Sequence, residues 1–101
     1  MMFKKKRFSS KKITQHAKGQ PCTLRTPFCT GDRSTVVACH APSEVKGMGL
    51  KSDDFWIAFG CSECHRYLDG NEGTELERLK LWFHGISRTW KILFNDKIIK
   101  A

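Results

Sequence analysis

Five cysteines carry the most legible chemistry in this chain: Cys22, Cys29, Cys39, Cys61 and Cys64. Cys61-Ser62-Glu63-Cys64 has the two-residue spacer that lets two thiolates reach one zinc ion from a tight turn. Cys22 and Cys29 lie six residues apart, a longer spacer, but Pro21 and Pro27 restrict that loop by fixing their own φ and extending their predecessors. Two such pairs predict one closed, tetrahedral, structural Zn²⁺ on Cys22, Cys29, Cys61 and Cys64. The odd cysteine count argues against a disulfide framework. Cys39 is left over, and its neighbour His40 is an alternative zinc ligand in place of one cysteine.

A second group of residues could do hydrolytic chemistry. His65 follows Cys64 directly and Asp69 lies four residues on, so both project from one face of a helix and could grip one divalent metal. An imidazole and a carboxylate leave coordination positions open for water and a phosphate oxygen. His40 would add a neutral imidazole able to take a proton from water near pH 7. The structural alternatives are a histidine acting as zinc ligand or surface group, and an Asp69 that only caps the helix or pairs with Arg66.

These side chains need elements to position them. Ser34 to Cys39 is β-branched and predicts a strand ending at His40. The apolar run Phe55–Phe59 fits either a buried strand or a helical turn, of which a strand paired with 35–39 is the favoured reading, and Ser62 to Leu68 predicts a helix opening in the second cysteine pair. Residues 13–33, with Gly19, Pro21, Pro27, Gly31 and Asp32, predict a loop-rich knuckle, and Ala41 to Lys51 a flexible loop. Thr74 and Glu77 have capping-box spacing, and Leu76, Leu79 and Phe83 follow at helical spacing. Gly85 reads as the end of that helix and Ser87 as the cap of a last one, closed by Asn95-Asp96. The stripe of Trp82, Phe83, Trp90 and Phe94 predicts core rather than a base-stacking platform.

Charge sets the partner class. The chain of 101 residues carries 18 Lys plus Arg against 10 Asp plus Glu, a net +8, which favours a polyanion such as DNA. Lys4, Lys5, Lys6, Arg7, Lys11 and Lys12 fall in residues 1–12 with no acid among them. That stretch predicts a flexible basic arm able to make salt-dependent phosphate contacts, ahead of a single domain over 13–101. No run is long and apolar enough for a membrane span, and the N-terminal residues lack the apolar core of a secretory signal, so a cytoplasmic protein without membrane partners is expected.

A strand ending in His, a loop, a second strand and a helix with His-x3-Asp resembles the HNH, or ββα-metal, nucleases, many of which carry two flanking cysteine pairs. More closely, Gly19-Gln20-Pro21-Cys22-Thr23-Leu24-Arg25, Val36-Val37-Ala38-Cys39-His40, Gly47-Met48-Gly49-Leu50-Lys51-Ser52-Asp53 and Cys61-Ser62-Glu63-Cys64-His65-Arg66-Tyr67-Leu68-Asp69-Gly70 resemble the YbcO-like family of small phage and prophage proteins regarded as nucleases. The resemblance spans about residues 15–100 and excludes the basic arm. It implies an α+β fold: a small zinc-stabilised ββα-metal domain, treble-clef-like, with two further C-terminal helices.

It also implies roles. His40 matches the general base, and His65 and Asp69 the helix metal ligands. Position 39 commonly holds an Asp or His ligand in HNH enzymes and is Cys here. The Asn that orients the base has no direct counterpart, so Asp53 or Asp54 would serve. The expected function is a metal-dependent endonuclease hydrolysing DNA in phage DNA processing or recombination, in a bacterial host cell. It would use Mg²⁺ or a transition metal and no small-molecule cofactor, with Lys51 or Arg66 near the phosphate. The alternatives are a non-catalytic zinc-containing nucleic-acid-binding module and, disfavoured by the charge, a treble-clef protein adaptor. Substrate form and oligomeric state are left open.

Overall fold

A computed structural model describes residues 8–42, 53–70 and 73–99. The order is α1 (Lys11–Gln15), a 3₁₀ turn (Arg33–Thr35), β1 (Val37–His40), β2 (Ile57–Gly60), α2 (Ser62–Asp69) and α3 (Glu75–Asn95). This is a small α+β fold around one two-stranded antiparallel sheet. Val37 pairs with Gly60, Ala38 with Phe59, Cys39 with Ala58 and His40 with Ile57. Both strands are four residues long and begin two or three residues later than the sequence suggests, because Val36 belongs to the preceding turn and Asp53 to Trp56 form another, closed by the Trp56 N–H bonding the Asp53 carbonyl at 2.9 Å.

All four residues of β2 are buried, and the core gathers around it: Leu24, Ile57, Ala58, Phe59 and Leu93 are wholly inaccessible. The outer edge of β2 is occupied by side chains. The Phe59 N–H reaches the hydroxyls of Thr23 and Thr89, each at 3.0 Å, and the Phe59 carbonyl accepts from the Thr23 N–H at 2.7 Å. These two threonines are buried and bond each other at 2.8 Å, so their polar atoms are satisfied inside the core.

The C-terminal part differs from expectation. Instead of two helices broken at Gly85, α3 is one helix of 21 residues, about 31 Å long. Gly85 is buried in its middle, and a Cβ there would lie 2.8 Å from Leu24 Cδ2 and 3.0 Å from Ala58 Cβ. The glycine lets the helix backbone approach the sheet, which its local sequence cannot reveal. Ser87 caps nothing; its hydroxyl donates back to the Phe83 carbonyl, 2.9 Å away. The helix does begin with the expected capping box, Thr74 and Glu77 exchanging side-chain and backbone bonds.

The aromatic stripe is also corrected. Trp82 is buried, but Phe83 is 68% exposed, Trp90 39% and Phe94 49%. Trp90 sits at the core's edge, its indole N–H donating to the Phe55 carbonyl at 2.7 Å. At the other end, Lys11 and Lys12, the last basic residues of the expected arm, lie in α1, which Ser10 caps by accepting from the Ile13 N–H. Lys4, Lys5, Lys6, Arg7, Lys51 and most of the loop after Pro42 lie outside the described residues.

Candidate functional site

Four sulfur atoms converge where the first cysteine loop meets the start of α2. The Sγ atoms of Cys22, Cys29, Cys61 and Cys64 all lie within 4.8 Å of one another. Cys22 and Cys64 are 3.6 Å apart and Cys61 and Cys29 4.0 Å. A tetrahedral ion with Zn–S bonds of roughly 2.3 Å would set its sulfurs about 3.8 Å apart, so the cluster fits that ion. All four are free thiols. Cys39 and His40 are not among the four, which settles the cluster as all-cysteine.

Polar hydrogens surround the cluster as they would a set of thiolates. The Cys61 N–H points at Cys22 Sγ, 3.4 Å away, and the Thr26 N–H and hydroxyl at Cys64 Sγ, at 3.4 and 3.2 Å. Burial pushes Cys64 up. Burial acts the same way on Cys61, but N–H donors from Thr30 and Cys64 outweigh it and draw that thiol down to about 6. Thr26 and Thr30 escape sequence reading because no spacing rule marks a hydrogen-bond donor to sulfur. Arg25 at φ 52° and Gly31 at φ 72° supply the left-handed turns that fold this loop around the sulfurs.

His40 ends β1 as expected. Its Nε2 lies 2.8 Å from Asp54 Oδ1. Asp54 is buried, and its other oxygen accepts from the Ser10 N–H at 2.7 Å. An ionised carboxylate only accepts, so with Asp54 ionised the bond is donated by the His40 Nε2–H. Of the two aspartates considered for the orienting role, Asp54 meets His40. Asp53 instead accepts from the Phe8 N–H at 2.7 Å.

His65 and Asp69 do share one face of α2, with Nε2 and Oδ2 3.0 Å apart and both side chains substantially exposed. Cys39 is buried against Gly60, and its thiol is pushed up to about 12 by burial first and by the Asp69 charge second. Arg66 is exposed, 3.7 Å from Glu63.

A profile of the family described as "Putative nuclease YbcO" matches residues 11–97. The chain belongs to this family. Two YbcO relatives, both named "Putative nuclease YbcO", come from Escherichia coli (strain K12) and Enterobacteria phage 82. Each is 28% identical over 98 residues, spanning 88% of this chain and 97% of the relative. A solved structure described as a putative bacteriophage protein from Escherichia coli K-12 MG1655 superposes with a TM-score of 0.66 at 24% identity. It covers 83% of this chain and 98% of that one, and speaks for the fold alone. The YbcO match runs from α1 to the end of α3 and so takes in the sulfur cluster and the His40–Asp54 and His65–Asp69 pairs. Among the described residues, no helix is long and apolar enough to cross a membrane.

Proposed function

We propose that this YbcO-family protein is a metal-dependent DNA endonuclease of the ββα-metal (HNH) type, built on a structural zinc held by Cys22, Cys29, Cys61 and Cys64. The observation that carries the reading is the strand-end His40, fixed by the buried Asp54, together with the exposed His65–Asp69 pair on the helix that the cysteines anchor. His65 and Asp69 would hold a divalent ion such as Mg²⁺ or a transition metal, whose chemistry when bound is Lewis-acid polarisation of the scissile phosphate.

The chain's own residues do the rest. Asp54 orients the His40 ring, and His40 takes a proton from the attacking water. Asp54 then stabilises the imidazolium that results. Arg66, Lys51 and the basic residues 4–7, 11 and 12 draw the phosphate backbone in, an attraction that weakens with salt. The phage setting of the relative from phage 82 supports a role in phage DNA processing or recombination within a bacterial cell.

A second reading has its own observation. Cys39 stands where HNH enzymes commonly place a metal ligand, yet it is buried and its thiol donates to the Val37 carbonyl, 3.6 Å away. This favours a zinc-containing nucleic-acid-binding module without catalysis. Supercoiled plasmid incubated with Mg²⁺, Mn²⁺, Ni²⁺ or Co²⁺ separates the two readings. Nicking by the parent, lost in His40→Ala and Asp69→Ala variants that retain zinc, supports the nuclease. Tight, salt-sensitive binding with no cleavage under any metal supports the module.

A further inference from the structure

We propose that the notch between the first cysteine loop and α2 is a nucleobase-binding site that seats an unpaired base of a single-stranded or locally opened nucleic acid. Its placement rests on the nuclease reading, since it would hold the nucleotide next to the phosphate offered to His65 and Asp69. The notch has a volume of about 220 Å³ and is lined by Phe28, Glu63, Arg66, Tyr67 and Gly70. Ligand pockets for drug-sized molecules run from roughly 300 Å³ upward, so this one suits a single planar ring system.

Phe28 is the unusual residue. It stands between Pro27 and Cys29, in the loop that the sulfur cluster fixes, yet its side chain is 61% exposed. Its N–H bonds the Thr26 hydroxyl at 3.3 Å, and that same hydroxyl donates to Cys64 Sγ, so the ring's base is tied to the cluster. One side of the ring meets Tyr67, with centroids 5.5 Å apart at 46°. Those rings already touch, so a base would take the outer face of Phe28 rather than enter between them. An aromatic face on a rigid loop of a strongly basic chain is the stacking platform that single strands use.

The polar lining fits the same ligand. Arg66 is exposed and can lie over the base or meet the adjoining phosphate. Glu63 presents a carboxylate at the rim, able to accept from the exocyclic amine of cytosine, adenine or guanine and finding no such donor on thymine. On α2, Glu63, Arg66 and Tyr67, with Gly70 at its C-cap, form a face centred about 130° round the helix from His65 and Asp69, with Arg66 on the side nearer to them. A base inside an intact duplex keeps both faces covered by its neighbours and cannot use the platform.

The test uses the full zinc-loaded chain, without added divalent metal, and a single-stranded oligonucleotide carrying 2-aminopurine, with its blunt duplex as comparison. Expected are quenching of 2-aminopurine by stacking in the single strand and none in the duplex. Phe28→Ala should abolish the quenching and weaken single-strand binding about 5- to 100-fold, with metal content unchanged. Phe28→Tyr should restore both. Equal binding by parent and Phe28→Ala, or no quenching by the parent, overturns the proposal. Plasmid nicking is read separately. Nicking without quenching ends the notch and leaves the nuclease standing; quenching without nicking under any metal supports the notch and ends the nuclease.

Discussion

His40 Nε2 and Asp54 Oδ1 lie 2.8 Å apart although 14 residues separate them in sequence, and the carboxylate that joins them is almost fully buried. Because Asp54 also accepts from the Ser10 N–H, it links the strand end to the cap of α1. Replacing Asp54 by Ala strands both donors, and the expected loss of stability is roughly 1–3 kcal/mol in urea unfolding. Asp54→Asn keeps the shape but weakens the hold on the His40 ring, and plasmid nicking should fall about 10- to 100-fold. A nicking rate that falls only as far as the folded fraction does would reduce Asp54 to a structural link.

The sulfur cluster predicts an asymmetric mutational pattern. Cys22, Cys29, Cys61 or Cys64 replaced by Ser should each lose bound zinc and melt far below the parent, since a structural zinc contributes on the order of 10 kcal/mol to folding in small domains. Cys39→Ala should keep one zinc per chain, because its sulfur stands outside the cluster. Elemental analysis with a thermal melt, with and without a strong chelator, decides this. Full zinc in a Cys29→Ser protein would dissolve the tetrathiolate frame.

Gly85→Ala offers a test of the helix–sheet contact. On an exposed helix the change would stabilise by about 1 kcal/mol. Here the new methyl meets Leu24 Cδ2 at 2.8 Å and Ala58 Cβ at 3.0 Å, both wholly buried, and overpacking of this kind costs about 1–3 kcal/mol. The net expectation is destabilisation by about 1 kcal/mol, visible as a lower urea midpoint at unchanged slope.

The start of α3 carries a pH dependence. Bonds from the Thr74 N–H, then its hydroxyl, hold the Glu77 carboxyl below its usual value of 4.5. A depressed carboxyl stabilises the fold above that usual value, and the contribution disappears as pH falls through the folded one. Stability of the parent minus that of Glu77→Gln should therefore be positive at pH 7 and shrink towards pH 4. Taking the difference cancels thiol protonation, which both proteins share. Thr74→Ala removes the cap itself and should cost about 1 kcal/mol at pH 7.

Spacing made the metal frame readable: two cysteine pairs, the His65–Asp69 step on one helix face and the Thr74–Glu77 cap are local patterns, and all three occur where they stand in the sequence. What depends on distant partners was not readable. Gly85 looks like a helix end until Leu24 and Ala58 are set against it. Phe83 and Trp90 fall at helical spacing, but which side of a helix meets the core is decided by the sheet, not by the period. Asp53 and Asp54 are neighbours of the same type, and only the path of residues 8–10 assigns one to the backbone and the other to His40.

The threonine pair beside Phe59 has an effect on how this molecule behaves in company. With Thr23 and Thr89 engaging the amide and Thr23 the carbonyl of that residue, the flank of β2 offers an incoming chain no ladder to zip onto at Phe59. Lateral growth of the sheet into fibrils or swapped assemblies is therefore hindered at the centre of this edge.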